Sequence, residues 1–586
     1  MALESDMQSN PASQLFADDL WNEISTIVSR LDSNQALWLS GYLAGRPAGS
    51  VPAKTLENKS ARILIAYGSE TGNSEKLARQ MGSRAAKQGI SAQIASLADI
   101  RLRQLAKFQY LLVICSTHGD GDPPEPITAF FNSLMQDPGP DLQQLNYAVL
   151  ALGDSSYEHF CKTGRQIDER LAQLKATRIV ARTECDVDFA EPARQWMDVV
   201  LNCLPSEGST SVAVESRAEP TQQAYSKQQP LMAEVIENLR LSSDKRGDPI
   251  HHLAIALDDE NFTVAAGDAV GVLAENPPAL VAAVLDATKL SGEQPVTLDG
   301  QAMPLVQALR EARDLTIPGQ RFLETWAEVA KADVLKELLA TESKQQREFL
   351  RTHQVLDLIS QHRGTPDAQM LVDSLRPLQP RLYDVASSPN LMSDELHLTV
   401  QQYRYPFRNR IERGIASDFL LNISPGESLR IYPHANHRFR LPEAQDAPLI
   451  LIAEGTGIAP FRSFIQEIKA AGHTHPAWLI FAEQSFEEDF LYQLDFQQAH
   501  ADGLLQHVDT VFYQDEPHST LATRLMEQPE RLVSWLEEGG HLYLCGNRER
   551  LTECENAIRF WLEGVLHKKA LWEGLNTEKR IHRNLY

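Results

Sequence analysis

Residues 62–80, RILIAYGSETGNSEKLARQ, run an apolar strand straight into a short Ser/Thr/Gly/Asn loop and then into a helical pattern. A strand–loop–helix unit constrains a fold strongly, because a parallel strand is returned by a crossover helix and its sheet is covered on both faces. The unit recurs: YLLVICS (110–116) leads into STHGDGDPPE (116–125), YAVLALG (147–153) into LGDSSYEHFC (152–161), and ATRIVAR (176–182) follows as a weaker run. Residues 61–205 therefore read as a parallel α/β sheet with its loops at the strand ends.

The first loop has the chemistry of a phosphate cradle. Ser69, Thr71, Asn73 and Ser74 supply hydroxyls and an amide, Gly72 lets the backbone come close, and the helix from Glu75 offers free N–H groups to an anion. Alone, such a loop is equally a capped helix start. The other two loops decide between these readings, since ligands of open α/β sheets bind beyond the C-terminal strand ends. The Gly-rich 116–125 segment can wrap a flat ring, and Tyr157 can stack on one.

The whole chain, 586 residues, has room for about four domains, or three with extensions. Residues 1–58 carry a helical apolar pattern (Leu20, Trp21, Ile24, Ile27, Val28, Leu31, then Leu37, Trp38) and end in a Pro/Ala/Gly stretch, a helical extension and linker. Residues 206–228 are Ser/Glu/Gln-rich and read as a flexible tether. From 229 to 445 period-2 stretches such as ELHLTVQQY flank a mostly helical part, about 280–370, in which Phe322, Trp326, Val329, Val334, Leu335, Leu338 and Leu339 recur at three- and four-residue spacings; this predicts a barrel-like β domain with a helical insertion. Residues 446–586 return to strand–helix alternation, opening on PLILIAEGTGIAP.

Composition excludes several classes. Lys+Arg 55 against Asp+Glu 79 gives a net charge of −24, unsuited to nucleic acid or an anionic membrane and compatible with a basic protein partner. No apolar run reaches the ~20 residues that span a bilayer, and no signal peptide opens the chain. Six cysteines without a C-x-x-C argue against disulfides, zinc or an iron–sulfur cluster, so the expected setting is cytoplasmic and without a metal of its own.

The three loops together resemble the flavodoxin-like domain of diflavin reductases, whose S-x-T-G-N, S-T-x-G-x-G and L-G-D-x-x-Y-x-x-F patterns they match. The resemblance implies an FMN site made of Ser69, Glu70, Thr71, Gly72, Asn73 and Ser74 at the phosphate, with Ser116, Thr117, His118, Gly119, Leu152, Gly153, Asp154, Ser155, Ser156, Tyr157, Glu158, His159, Phe160 and Cys161 around the ring. The middle of the chain is similar to the FAD domain of the same family. In RLYDVASSP (381–389) Arg381 can fork onto a pyrophosphate and Tyr383 can stack, and RGIASDFL (413–420) precedes an apolar run. The implied FAD contacts are Thr316, Arg381, Leu382, Tyr383, Asp384, Thr399, Val400, Gln401, Tyr405, Gly414, Ile415, Ala416, Ser417 and the terminal Tyr586. In the last domain the resemblance assigns the nicotinamide nucleotide to Gly455, Thr456, Gly457, Tyr513, Gln514 and Cys545, and catalysis to Cys545, Asp384, Asn584 and Tyr586.

Within the family, SNQALWLSGYLAG (33–45), SFEEDFLYQ (485–493) and LRPLQPRLYDVASS (375–388) resemble most the flavoprotein subunits of NADPH-dependent sulfite reductases. This resemblance implies an NADPH-dependent oxidoreductase passing electrons through FAD and FMN to a separate haem and iron–sulfur subunit that reduces sulfite to sulfide in cysteine biosynthesis. The implied fold is multidomain α/β: a flavodoxin-like domain, a β-barrel FAD domain with helical insertion, and a Rossmann-like nucleotide domain. Self-association is expected through residues 1–58.

Four residues depart from the family pattern. Asp384 stands where the family has serine in R-x-Y-S, and Asn584 where it has a terminal aspartate. Tyr513 and Gln514 stand where a Ser-Arg pair, followed by Lys-x-Tyr, recognises the 2′-phosphate, and no Lys or Arg occurs in 511–523. Residues 446–586 hold 12 Lys+Arg and 22 Asp+Glu, hence −10, against 15 and 17, hence −2, in 61–205. NADH use, a broad-donor reductase serving another haem acceptor, and a flavin-binding subunit with a decayed hydride site therefore stay open as alternatives.

Overall fold

The computed structural model describes residues 62–119, 121–136, 139–155, 157–205, 225–341 and 343–586, apart from the side chains of 343–344. The expected N-terminal extension, 1–58, and residues 206–224 of the expected tether lie outside the described residues.

The first sheet is parallel, in the order Ala92–Ser96, Ile63–Gly68, Tyr110–Ser116, Asn146–Leu152, Thr177–Arg178, with Thr183–Cys185 also paired to Asn146–Leu152. Its strands are near-continuous apolar runs because both faces are covered. Leu64, Ala66, Leu111, Val113 and Val149 pack with Phe130, Phe131, Ile167 and Leu171, while the alternating Ile65, Leu112, Ile114 and Leu150 are buried on the opposite face. The order reverses between Ile63–Gly68 and Tyr110–Ser116, the switch point where ligands of such sheets bind.

The second sheet is antiparallel, running Arg381–Asp384, Ala269–Leu273, Ser428–His434, Leu231–Arg240, Ile250–Ala256, Glu395–Gln401. Its two ends meet: Val385 pairs antiparallel with Leu398, and the Ala386 N–H donates to the His397 carbonyl at 2.8 Å. This curls the sheet into a barrel-like form around Val235, Leu253, Val270, Val272, Leu398 and Val400.

Between Ala269–Leu273 and Arg381–Asp384 stand the helices of the insertion, from Pro278–Thr288 to Ala368–Ser374. They have a core of their own, in which Phe322 stacks on Trp326 at 5.6 Å. Val334, expected on the apolar face, is instead 65% exposed, because Gln320–Val329 and Asp333–Leu339 are separate helices broken at Lys331, whose φ is +50°.

The third sheet is parallel again: His507–Phe512, Ala477–Glu483, Leu449–Glu454, His541–Gly546, Ile581–Leu585. Residues Arg62–Tyr586 form one compact unit.

Candidate functional site

A cleft of about 1400 Å³ is lined from all three sheets. On the flavodoxin-like side it is bordered by Ser69, Glu70, His118, Asp154, Ser155 and Tyr157. Gly72 adopts φ +81°, a left-handed turn that starts helix Asn73–Lys87 and leaves open space where a Cβ would stand. Ser74 is fully buried in the first turn; its N–H donates to Ser69 Oγ at 3.3 Å, while its own Oγ has no partner. The Asn73 amide reaches Thr71 Oγ1 at 3.3 Å.

The three loops are tied to one another. Ser116 Oγ donates to the Gly68 carbonyl at 3.3 Å, Thr117 N–H to the Leu152 carbonyl at 2.9 Å, and Glu125 N–H to Glu70 Oε2 at 3.0 Å. Gly119 takes φ +50° within the turn closed by His118 and Asp122. Gly153 N–H donates to the Cys185 carbonyl at 3.0 Å, and Tyr157 is 47% exposed. Glu158 is exposed, His159 packs against Gly121, and Phe160 lies under Arg347 at 5.9 Å. Leu152 and Cys161 belong to the core, with Cys161 Sγ directed to the Ala151 carbonyl at 3.4 Å and its thiol pushed up by burial. Ser156 lies outside the described residues.

On the barrel side the cleft is lined by Thr316, Arg381, Leu382, Tyr383, Asp384, Thr399, Gln401, Tyr405 and the segment Gly414 to Ser417. The Arg381 side chain forms no hydrogen bond or ion pair among the described residues, which leaves a whole guanidinium fork at the cleft. Ile415, Ala416 and Ser417 form the first turn of helix Ile415–Asn422 rather than a loop ahead of it, with Gly414 as its cap. Ser417 Oγ accepts the Tyr403 N–H at 3.0 Å. Tyr403 escaped the sequence reading: 64% exposed, it stacks with Tyr405 at 5.8 Å beside Gly414. The alternation Tyr403-Arg404-Tyr405 was the signal that could have found it, because i and i+2 of an extended segment share a side. Val400 points into the barrel core instead of the cleft, and the Thr399 hydroxyl is engaged by Tyr492 at 2.6 Å. Thr316 is held by Asp314, at 2.7 Å through its hydroxyl.

The nucleotide side brings Asp384, Cys545 and Asn584 into contact and pairs Tyr586 with Thr456. Asn584 Nδ2 donates to Asp384 Oδ1 at 2.8 Å, Cys545 Sγ lies 3.7 Å from Asp384 Oδ2 and 3.6 Å from Asn584 Nδ2, and the Tyr586 hydroxyl meets Thr456 Oγ1 at 3.1 Å. Burial raises the Asp384 carboxyl to about 6, against the lowering effect of Asn584 and Cys545. Burial and then Asp384 push the Cys545 thiol well up, so it is a neutral S–H. Gly457 is buried because the Cys545 strand passes over it: a Cβ there would stand 2.1 Å from the Cys545 carbonyl oxygen. Gly455 turns the chain at φ +56° into helix Ala459–Ala471. Glu454, just before it, is raised to about 7 by burial in spite of Arg550, which binds it at 2.6 Å.

Tyr513 and Gln514 do not reach the cleft; they follow strand His507–Phe512 at the outer edge of the sheet. Sequence reasoning found no cation in 511–523, yet the fold brings two: Arg550 lies over the Tyr513 ring at 4.3 Å, and Arg524 pairs with Glu516.

Arginines from the other domains hold the acidic flavodoxin-like face. Arg376 reaches Asp154 at 2.5 Å and Asp186 at 3.2 Å, Arg438 reaches Glu125 at 3.1 Å, Arg548 lies 3.8 Å from Asp122, and Arg351 donates to the Tyr157 carbonyl. Burial and then Arg548 keep the His118 imidazole below its usual range.

The residues present fit two flavins and a dinucleotide. The orphaned Ser74 hydroxyl and the open turn at Gly72 suit a phosphate, the uncommitted Arg381 suits a pyrophosphate, and exposed Tyr157, Tyr403 and Tyr586 with half-buried Tyr405 suit flat rings.

Family comparisons agree with this division. Residues 65–196 match Flavodoxin, 223–419 the FAD binding domain, and 451–555 the Oxidoreductase NAD-binding domain. Proteins named sulfite reductase [NADPH] flavoprotein alpha-component are similar along nearly the whole chain. The one from Bacillus subtilis is 34% identical, covering 96% of this chain and 97% of its own length. That from Shewanella oneidensis is 36% identical over 98% of both, and that from Vibrio cholerae 36% identical over 96% and 95%. The chain belongs to the diflavin reductase family, in the group of sulfite reductase [NADPH] flavoprotein alpha-components.

Proposed function

We propose that the chain is the electron-delivering half of a two-component sulfite reductase, an oxidoreductase that takes electrons from NADPH and passes them through FAD and FMN to a separate haem-containing subunit that makes sulfide for cysteine biosynthesis. The observation that carries this is the single cleft onto which the phosphate loop of one sheet, the barrel strand Arg381–Asp384 and the tail ending in Tyr586 all open. When bound, the nicotinamide supplies hydride and the flavins convert the electron pair into single electrons.

The chain's own residues bind, orient and handle a proton. The loop Ser69 to Ser74 would hold the FMN phosphate through the helix N-terminus and the Ser74 hydroxyl, with the ring between Ser116 to Gly119 and the Tyr157 loop. Arg381 and the first turn Gly414 to Ser417 would hold the FAD phosphates, and Tyr383, Tyr403 and Tyr405 its rings. Tyr586, hydrogen-bonded to Thr456, would cover the reacting face until the nicotinamide displaces it, excluding water in the meantime. Asp384, flanked by the Asn584 amide and the Cys545 S–H, is the group able to hold or release a proton there.

A cytoplasmic setting is part of the same reading, supported by six cysteines that are all free and by the absence, among the described residues, of a helix long and apolar enough to cross a membrane. Self-association through 1–58 rests on the apolar pattern of that segment. Tyr513 and Gln514 favour a second reading in which NADH also serves as donor.

Anaerobic mixing with NADPH and with NADH, followed by flavin absorbance, tests the donor. Adding the haem and iron–sulfur component and measuring sulfide tests the acceptor. Bleaching by NADPH with stoichiometric sulfide is expected. Bleaching without sulfide would assign another acceptor, and no bleaching by either nucleotide would leave a flavin-binding subunit without a hydride site.

A further inference from the structure

Strands Leu449–Glu454, Ala477–Glu483 and His507–Phe512 end side by side, and dinucleotides bind beyond such ends. A 2′-phosphate there needs a fixed cation, which segment 511–523 lacks. The fold supplies one from a helix that starts on the other side of the central strand. Arg550, in helix Arg548–Phe560, lays its guanidinium over the Tyr513 ring at 4.3 Å and donates through Nη1 to Glu454 Oε1 at 2.6 Å. The stack fixes the plane of the fork and the ion pair fixes one edge, while 44% of the side chain stays open to solvent, so donors of a five-N–H group remain for a ligand.

Its neighbours are already committed. Arg246 is shared between Glu483 at 3.1 Å and Asp489 at 2.7 Å, and Arg524 between Glu516 and Glu527. The two acids beside Gln514 are occupied as well: Asp515 accepts the Phe486 N–H at 2.7 Å, and Glu516 is held by Arg524. We propose that Arg550, laid over Tyr513 and tethered to Glu454, reads the ribose 2′-phosphate of NADPH in this chain, in place of the arginine that position 514 lacks. The inference rests on NADPH being the donor.

Calorimetric titration of the oxidised, full-length holoenzyme with 2′,5′-ADP and with 5′-AMP tests it without turnover. The wild type should bind 2′,5′-ADP more tightly than 5′-AMP. Arg550→Ala should shrink that preference by about tenfold or more, the size of one charge-assisted hydrogen bond, and Arg550→Lys should retain part of it. Glu454→Gln, which keeps the guanidinium but removes the competing charge, should preserve or widen the preference. Flavin content and melting temperature report whether each variant folds, and Arg550→Gln replaces the alanine variant if that one does not. An equal loss of affinity for both nucleotides, or no loss for either, overturns the role. A wild type without preference for 2′,5′-ADP would remove the NADPH reading itself, an outcome distinct from an intact preference that survives in Arg550→Ala.

Discussion

The side-chain amide of Asn584 donates to Oδ1 of Asp384 at 2.8 Å, joining the C-terminal strand Ile581–Leu585 to the end of barrel strand Arg381–Asp384. Burial lifts the Asp384 carboxyl to about 6, above the usual carboxylate value of about 3.9. The folded chain therefore keeps a proton that the unfolded chain releases, so this group lowers stability as pH rises through that window, and above about 6 it is an ionised acceptor. NADPH-driven flavin reduction in a stopped-flow experiment should show an inflection near pH 6 that Asp384→Asn abolishes. An inflection that persists in this variant would assign the titration elsewhere. Asn584→Asp sets a second carboxylate against the first and should move the inflection upward, whereas the double change Asp384→Ser with Asn584→Asp leaves one carboxylate and should recover much of the rate.

Ser74 Oγ is buried without a partner in the first turn of Asn73–Lys87. A buried hydroxyl with nothing to bond costs about 1–3 kcal/mol, so its presence is accounted for by a ligand rather than by the fold. Ser74→Ala should lower FMN retention on gel filtration by about fivefold or more, while the FMN-stripped protein melts at the same temperature or higher. A matched fall in both would make Ser74 a structural residue.

The strands were legible because buried parallel strands are continuous apolar runs, as in RILIAYG and PLILIA, and the loops at their ends carry their chemistry within a few residues. What stayed hidden depends on separation along the chain. Tyr513 and Arg550 meet across two strands, and Arg376 meets Asp154 and Asp186 across two domains, pairings for which no local spacing exists. The net charge of −24 suits a basic protein partner, yet the acidic loop residues Asp122, Glu125, Asp154 and Asp186 are met in the fold by the chain's own arginines. Val334 and Val400 show the opposite limit: period placed Val334 on a core face and the family resemblance placed Val400 on a ligand, and a helix break and the barrel pleat turned each the other way.

Arg376 is 4% exposed and bonds two carboxylates of the flavodoxin-like domain, which retain 22% and 19% exposure. Removing it leaves two partly buried carboxylates without their cation, worth at most about 3 kcal/mol of domain docking because those groups still reach water. Arg376→Ala should leave ferricyanide reduction by NADPH near wild type, since that needs only the barrel and nucleotide domains, and slow delivery to an acceptor that draws on FMN. Equal slowing of both would place Arg376 in the fold of the barrel instead.

Tyr586 is 55% exposed and its hydroxyl holds Thr456 Oγ1 at 3.1 Å, so an incoming nicotinamide must break that bond and displace the ring. NADPH can draw on the binding of its 2′-phosphate to do so, and NADH cannot. Tyr586→Ala should therefore raise kcat/KM for NADH about 2- to 10-fold relative to NADPH, the range of an aromatic contact of about 0.5–1.5 kcal/mol. An unchanged ratio of kcat/KM between the two donors would remove the competition.

Gly457 sits where the turn after strand Leu449–Glu454 passes beneath the neighbouring strand His541–Gly546. An added Cβ would stand 2.1 Å from the Cys545 carbonyl oxygen and 2.8 Å from the Gly546 nitrogen, both main-chain atoms that cannot swing aside. Gly457→Ala must push two strands of the nucleotide sheet apart, a cost at or above the upper end of about 1–3 kcal/mol for overpacking. The displaced strand carries Cys545, so the contact with Asp384 goes with it. Gly574 is a matched control: it lies in helix Lys569–Thr577 with nothing within 4 Å of its added Cβ, and alanine there should be neutral or stabilise by about 0.5–1 kcal/mol. Gly457→Ala should retain both flavins and still bleach with dithionite while losing bleaching by NADPH; a variant reduced by NADPH at the wild-type rate would show that the two strands need not touch at this point.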